Sequence, residues 1–134
     1  KKYKLKANYS YVEVSDERFD AVLRKKLQKK TTRGFNVTIP FKKKIFKYLD
    51  VKNLHANNIG AVNCVTVGEK IRGCNTDWLG YLNSIKNIKI NKNKKILILG
   101  YGGASQAIVY GLLTKGYKNI AKTIFEKILM ESSN

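Results

Sequence analysis

Lys95-Ile96-Leu97-Ile98-Leu99-Gly100-Tyr101-Gly102-Gly103-Ala104-Ser105 is the stretch on which the reading of the fold turns. An aliphatic run enters a glycine turn without a break. Ala107, Ile108, Leu112 and Leu113 then continue at helical spacing, closed by Gly116. A continuous aliphatic run is expected of a strand buried on both faces of a parallel sheet. Strand, glycine turn and helix make the first half of a dinucleotide-binding βαβ unit. Gly100 permits the tight turn, and Gly102 and Gly103 remove side chains so that backbone N–H groups can approach a pyrophosphate. The helix N-terminus adds its orphan donors and partial positive charge. The third glycine of the common pattern falls at Ser105, so the turn is a variant. A purely structural βα turn without a nucleotide fits the same residues.

A second strand should end about 20 residues further on, in an acid that accepts the adenine ribose 2′-OH of NAD. Asn119-Ile120-Ala121-Lys122-Thr123 occupies that region, and the nearest acid is Glu126. Lys122 suits a 2′-phosphate instead, which points to NADP.

Upstream, the Lys- and Asn-rich segment Asn87 to Lys95 marks a boundary between two lobes, 1–86 and 87–134. In the first lobe, Lys4 to Val14 carries Tyr9, Tyr11, Val12 and Val14 and reads as a strand. Ser15-Asp16-Glu17 looks like a helix start with Ser15 as N-cap, and Phe19, Val22, Leu23 and Leu27 form its apolar stripe. The helix ends at Thr31-Thr32-Arg33-Gly34. Gly34 to Ile39 reads as a strand stopped by Pro40, followed by a short helix over Lys42 to Leu49. Ile59 to Val67 reads as another strand, and Gly68-Glu69 turns it into Lys70 to Gly73 as a hairpin. That hairpin puts Cys64 and Cys74 on neighbouring strands, where two reduced thiols are commoner than a disulfide. Asn75-Thr76-Asp77 opens a helix through Trp78, Leu79, Tyr81, Leu82 and Ile85.

Composition bounds the function classes. The chain has 134 residues, 27 basic against 9 acidic, and a formal net charge of +18. With 43% hydrophobic residues it can bury a core, and no apolar run approaches the roughly 20 residues of a membrane span. The N-terminus has no apolar stretch behind its charges, so no signal peptide is expected, and there is no initiator Met. Such charge often marks a nucleic-acid partner. Lysine outnumbers arginine 23 to 4, however, and Asn and Ile are also abundant. A protein clamping phosphates or reading bases would favour the bidentate fork of Arg, so a compositional bias accounts better for the excess. Two cysteines are too few for a disulfide scaffold, and with His55, which reads as a surface or packing residue, they give no metal-ligand spacing.

Three polar groups in the first lobe stand in unusual company. Gly34-Phe35-Asn36-Val37-Thr38-Ile39-Pro40-Phe41-Lys42 places Thr38 and Lys42 around a strand end and a proline turn. Gly60-Ala61-Val62-Asn63 sets an amide among small residues. Gly73-Cys74-Asn75-Thr76-Asp77-Trp78-Leu79-Gly80 sets a carboxylate at a helix start, where a plain helix cap is the ordinary role. Together, Lys42 and Asp77 can form a pair at the mouth of a nucleotide site. An ammonium in a partly dry cleft exchanges protons readily with a hydroxyl, and a neighbouring carboxylate holds it in place.

These four motifs, Gly34–Lys42, Gly60–Asn63, Gly73–Gly80 and Gly100–Ala107, resemble those of the shikimate dehydrogenase family in order and separation. The resemblance runs from about Asn8 to Gly116. It implies an α/β protein: an N-terminal substrate-binding lobe followed by the start of a doubly wound Rossmann lobe for NADP. The implied reaction is reversible NADP-dependent reduction of 3-dehydroshikimate to shikimate, on the route to chorismate and the aromatic amino acids. The lysine matching Lys42 is the proton donor and acceptor, and the aspartate matching Asp77 pairs with it and contacts substrate hydroxyls. Thr38 and Asn63 bind substrate. Gly100, Tyr101, Gly102, Gly103 and Ala104 hold the cofactor phosphates, with Lys122 and Thr123 towards the 2′-phosphate. The resemblance further implies a cytoplasmic enzyme, monomer or homodimer, without metal, nucleic-acid or membrane partners.

The chain departs from the family in two places. The family opens with a strand and a Ser-x-Ser-Pro loop for the substrate carboxylate, and nothing before Tyr9 resembles them. It also continues well past Gly116, with an Asn-Arg-Thr turn and a later glutamine-bearing segment, and Ala121-Lys122-Thr123 is the only candidate here for the turn. About half of a complete enzyme is therefore missing, and the 134-residue chain alone is expected to have negligible dehydrogenase activity. A quinate/shikimate dehydrogenase using NAD is the related alternative. A basic nucleic-acid-binding module is the alternative from another class, and it leaves Lys42, Asn63, Asp77 and the glycine turn unexplained.

Overall fold

The computed structural model describes residues 6–123. The chain divides into two compact units, Lys1–Thr32 and Arg33–Asn134. In the first, α1 spans Phe19–Gln28 and buries Phe19 and Leu23, two members of the expected stripe. The helix starts later than an N-cap at Ser15 requires. The Ser15 carbonyl accepts from Arg18 N–H at 3.2 Å, making a turn, and Arg18 takes the N-cap position without a side-chain cap. The expected strand over Lys4 to Val14 does not form over residues 6–14, which are irregular; Lys4 and Leu5 lie outside the described residues. Tyr9 and Tyr11 are exposed, and no described strand pairs with the segment. β-forming side chains without a ladder partner do not hold a strand.

The second unit holds a four-stranded sheet with order β1-β3-β4-β2. β1 (Gly34–Asn36) and β4 (Ile71–Cys74) run antiparallel to β3 (Cys64–Val67), and β2 (Val51–Lys52) runs parallel to β4. The hairpin forms as expected, with Cys64 opposite Cys74, both free thiols. A 3-10 helix over Lys44–Tyr48 stands where a short helix was expected and buries Ile45. Ile59 to Val67 is not one strand. Asn53 caps α2 (Leu54–Ile59) by accepting from Ala56 N–H at 2.8 Å, and the helix takes Ile59 with it. Only from Cys64 does the chain become a strand.

α3 spans Asp77–Ser84, as the Asn-Thr-Asp start suggests. β5 (Ile96–Leu99), α4 (Gly103–Thr114) and β6 (Ile120–Thr123) follow, with β5 and β6 parallel in register Ile96↔Ile120 to Leu99↔Thr123. This is the expected βαβ half-unit. One expectation fails within it: β5 is buried on one face only. Ile98 is 8% exposed, whereas Leu97 and Leu99 are 54% and 56% exposed. The sheet has two strands among the described residues, and α4 covers a single face of it. Ile59, Ala61 and Ala107 form a buried cluster flanked by Trp78 and Tyr110, joining α2 and the following loop to α4.

Candidate functional site

Lys42 is delivered by a turn. Phe41 N–H donates to the Thr38 carbonyl at 2.9 Å, across a cis Ile39–Pro40 bond. The Lys42 carbonyl then accepts from Val62 N–H at 2.8 Å, which fixes the lysine backbone to the loop ahead of β3. That loop carries Asn63. Its backbone is held on both sides, donating to the Cys74 carbonyl at 3.2 Å and accepting from Val37 N–H at 2.9 Å. Asp77 is the first residue of α3.

The three side chains meet. Lys42 Nζ donates to Asp77 Oδ2 at 2.7 Å, and Asn63 Nδ2 donates to Asp77 Oδ1 at 2.7 Å. Each carboxylate oxygen thus has its own donor, and the carboxylate plane is set. The other side of the Asn63 amide is also used: Oδ1 accepts from Thr76 N–H at 2.9 Å. The side chains of Lys42 and Asp77 are 14% and 28% exposed, so the pair is half-dry with its carboxylate open to one side. In such a setting desolvation offsets much of the Coulomb attraction, and the main consequence of the pairing is orientation. Thr38 is exposed, and its side chain takes no part in these hydrogen bonds; the structure brings together Lys42, Asn63 and Asp77 only.

Sequence reading missed Asn75. It is 2% exposed, with Nδ2 donating to the Ala61 carbonyl at 2.9 Å and Oδ1 accepting from Asp77 N–H at 3.0 Å. Its own carbonyl accepts from Trp78 Nε1 at 3.1 Å. Asn75 therefore ties the loop bearing Asn63 to the helix start bearing Asp77. The signal available in sequence is an Asn two positions before a helical residue, the spacing of an Asx turn. His55 is a packing residue, as read: Nδ1 lies 2.8 Å from Tyr110 Oη, and its ring sits 4.6 Å from that of Trp78. Among the described residues no group of three or more His, Cys, Asp or Glu could hold a metal ion, and no helix is long and apolar enough to cross a membrane.

The glycine turn presents bare backbone ahead of α4. Gly100 has φ +132°, a conformation L side chains rarely adopt. Gly102 is the N-cap of α4 and has no side-chain cap, and a Cβ built there meets nothing within 4 Å. The space beside Gly102 at the uncapped start of α4 is thus open. Ser105, standing in place of the third glycine, is buried and satisfies its hydroxyl on the Gly102 carbonyl at 2.9 Å. Gly103 differs: a Cβ there would lie 3.1 Å from both Lys42 Cβ and Ala61 Cβ. Tyr101 is exposed, with Lys122 Nζ 4.4 Å and Lys43 Nζ 5.9 Å from its ring centroid. Ala104 lies in the first turn of α4, and Thr123 ends β6 opposite Leu99. Glu126 lies outside the described residues.

Residues 1–65 match the shikimate dehydrogenase substrate binding domain family. The shikimate dehydrogenase (NADP(+)) of Oceanobacillus iheyensis is 41% identical over 125 residues, covering 90% of this chain and 45% of that protein. The crystal structure of shikimate dehydrogenase from Thermotoga maritima superposes with a TM-score of 0.73 at 34% identity, covering 89% of this chain and 45% of that one. The Thermus thermophilus enzyme, solved in complex with NADP(H) and shikimate, superposes with a TM-score of 0.68 at 32% identity, over 81% of this chain and 41% of that one. The chain spans less than half the length of these relatives.

Proposed function

We propose that this chain belongs to the shikimate dehydrogenase family, to which it is similar, and supplies the substrate-side machinery and the start of the NADP cradle for reversible reduction of 3-dehydroshikimate to shikimate. In this reading residues 1–86 form the substrate lobe and 87–134 begin the nucleotide lobe of a cytoplasmic monomer or homodimer. The observation that carries it is the 2.7 Å contact between Lys42 Nζ and Asp77 Oδ2, with Asn63 on the other carboxylate oxygen. Lys42 gives a proton to the oxygen of the reacting carbonyl and takes it back in the reverse direction. Asp77 holds the ammonium and, on its open side, a substrate hydroxyl. Asn63 keeps the carboxylate from turning and, with Thr38, borders the substrate.

The uncapped N-terminus of α4 and the open space over Gly102 fit a pyrophosphate. Gly100 to Ala104 would hold it, with Lys122 and Thr123 towards a 2′-phosphate. NADPH, when bound, supplies the hydride.

Lys42→Ala in the whole protein tests the reading. We expect turnover of 3-dehydroshikimate, followed by NADPH absorbance, to fall roughly 10²–10⁴-fold, the usual worth of a positioned acid–base group. Shikimate affinity by calorimetry should change only a few-fold. Unchanged turnover in the variant would remove Lys42 from the reaction. The 134-residue chain alone should show no measurable turnover.

A further inference from the structure

We propose that Gly103 is a positioning residue for Lys42: its missing side chain lets the first turn of α4 lie against Lys42 and Ala61, so that nucleotide turn and lysine share one fixed geometry. This deepens the function proposed above and rests on it. The two glycines that begin α4 are adjacent and look interchangeable in sequence, yet their surroundings are opposite. A Cβ at Gly102 meets nothing within 4 Å, which is the open approach a phosphate requires. A Cβ at Gly103 points into the protein and meets Lys42 Cβ and Ala61 Cβ, each at 3.1 Å.

Neither neighbour can swing aside. A Cβ position is set by its own backbone, not by a rotamer. Ala61 is fully buried, and its carbonyl is held by Asn75 Nδ2. The Lys42 backbone is held by Val62 N–H on its carbonyl. A methyl group at 103 therefore has to move α4 and the Lys42 segment apart by a few tenths of an ångström. Proton transfer is sensitive to displacements of that order, since a misplacement of about 1 Å can cost about 10²-fold in rate. The Nζ–Oδ2 contact with Asp77 lies at the end of the same lysine.

The test compares Gly102→Ala with Gly103→Ala in the whole protein. Each variant is read by NADPH affinity, by the pH profile of turnover, and by the NMR signal of Lys42 Cε, assigned by its loss in Lys42→Ala. Gly103→Ala should shift the Lys42 signal and the pH profile and lower kcat roughly tenfold, with NADPH affinity within about threefold, because alanine keeps the backbone N–H at 103 and adds its methyl on the side of Lys42 and Ala61. Gly102→Ala should do the reverse, weakening NADPH roughly tenfold or more while the Lys42 signal stays in place. Adding Ala61→Gly to Gly103→Ala removes one of the two close contacts and should restore part of the lost turnover. If Gly103→Ala weakens NADPH as Gly102→Ala does and leaves the Lys42 signal unmoved, the missing side chain at 103 serves the phosphate approach and not Lys42, and the inference is wrong. Should Gly103→Ala unfold the protein, recovery of the fold on adding Ala61→Gly supports the close packing, and continued unfolding overturns it. A Lys42 signal that moves in an enzyme whose turnover is insensitive to Lys42→Ala would instead defeat the proposed function while leaving the geometry standing.

Discussion

Around Asp77 every partner is a side chain or a held loop group: Lys42 and Asn63 on the carboxylate, Asn75 on the backbone N–H. Around Gly102 the chain offers bare backbone and an uncapped helix end. The first region is closed by its own hydrogen bonds. The second is open, stands on a sheet that has two strands among the described residues, and leaves Leu97 and Leu99 exposed on one face. On the proposed function the contrast has a use: a proton-transferring lysine needs a fixed partner before the substrate arrives, whereas a pyrophosphate brings its own charge and needs only donors left unsatisfied. Among the described residues, side-chain pre-organisation is concentrated around Asp77.

The contrast can be broken most forcefully by exchanging one charge on each side. Asp77→Asn keeps the shape but leaves the ammonium without its counter-ion and places an amide nitrogen near a donor. We expect kcat of the whole protein to fall by about 10² or more, within the range of general acid–base effects. Lys122→Ala should leave kcat near its original value and weaken NADPH by about tenfold or less, the worth of one charge-assisted hydrogen bond. NADPH titration beside steady-state kinetics reads both. If Lys122→Ala lowers NADPH and NADH affinity equally, Lys122 does not recognise a 2′-phosphate, and its position over Tyr101 is only packing.

β5 offers a sharper comparison within four residues. Ile98 is buried and its neighbours Leu97 and Leu99 are not. Ile98→Ala should cost about 2–5 kcal/mol by urea denaturation of this chain, as for other buried aliphatics. Leu97→Ser should stay within about 0.5 kcal/mol, as for most surface changes. Equal costs would mean that both faces of β5 are covered in solution.

The same strand shows where sequence stops being informative. Lys95 to Leu99 announces a strand, but an aliphatic run does not say how many neighbours are present to bury it. The glycine turn and α4 were legible because their residues act locally: a positive-φ glycine, an uncapped helix start, a closing Gly116. Lys42 and Asp77 are a chemically sensible pair in the sequence, but nothing local states that positions 42 and 77 touch, and Asn63 joins them only through the resemblance of their motifs. Asn75 is hidden in the sequence because Thr and Asp beside it are residue types that ordinarily cap helices, and the Ala61 carbonyl it binds is 14 residues away. The two failed strands err for opposite reasons. Residues 6–14 have β-forming side chains without a partner strand, and Ile59 is taken into the helix that the Asn53 cap starts. Local preference yields in each case to what surrounds the segment.

The smallest expected effect lies next to the better-built region in sequence, at Cys64 and Cys74, which face each other across β3 and β4 beside Asn63 and Asn75. Burial, and next the neighbouring Cys64, push the Cys74 thiol up from its ordinary value. The folded state therefore keeps this proton over a pH interval in which the unfolded chain has lost it. In that interval the folded state binds more protons, so stability falls as pH rises, beginning in the ordinary thiol range, where the unfolded thiol ionises, and ending once the folded thiol itself ionises. At neutral pH and below, the contribution is fully present. Urea midpoints of wild type and Cys74→Ser should then run parallel up to about pH 8 and converge above it, because serine does not titrate there. Parallel curves throughout would mean that the thiol gains nothing from burial, and that this end of the hairpin is as open as the face of β5 that carries Leu97.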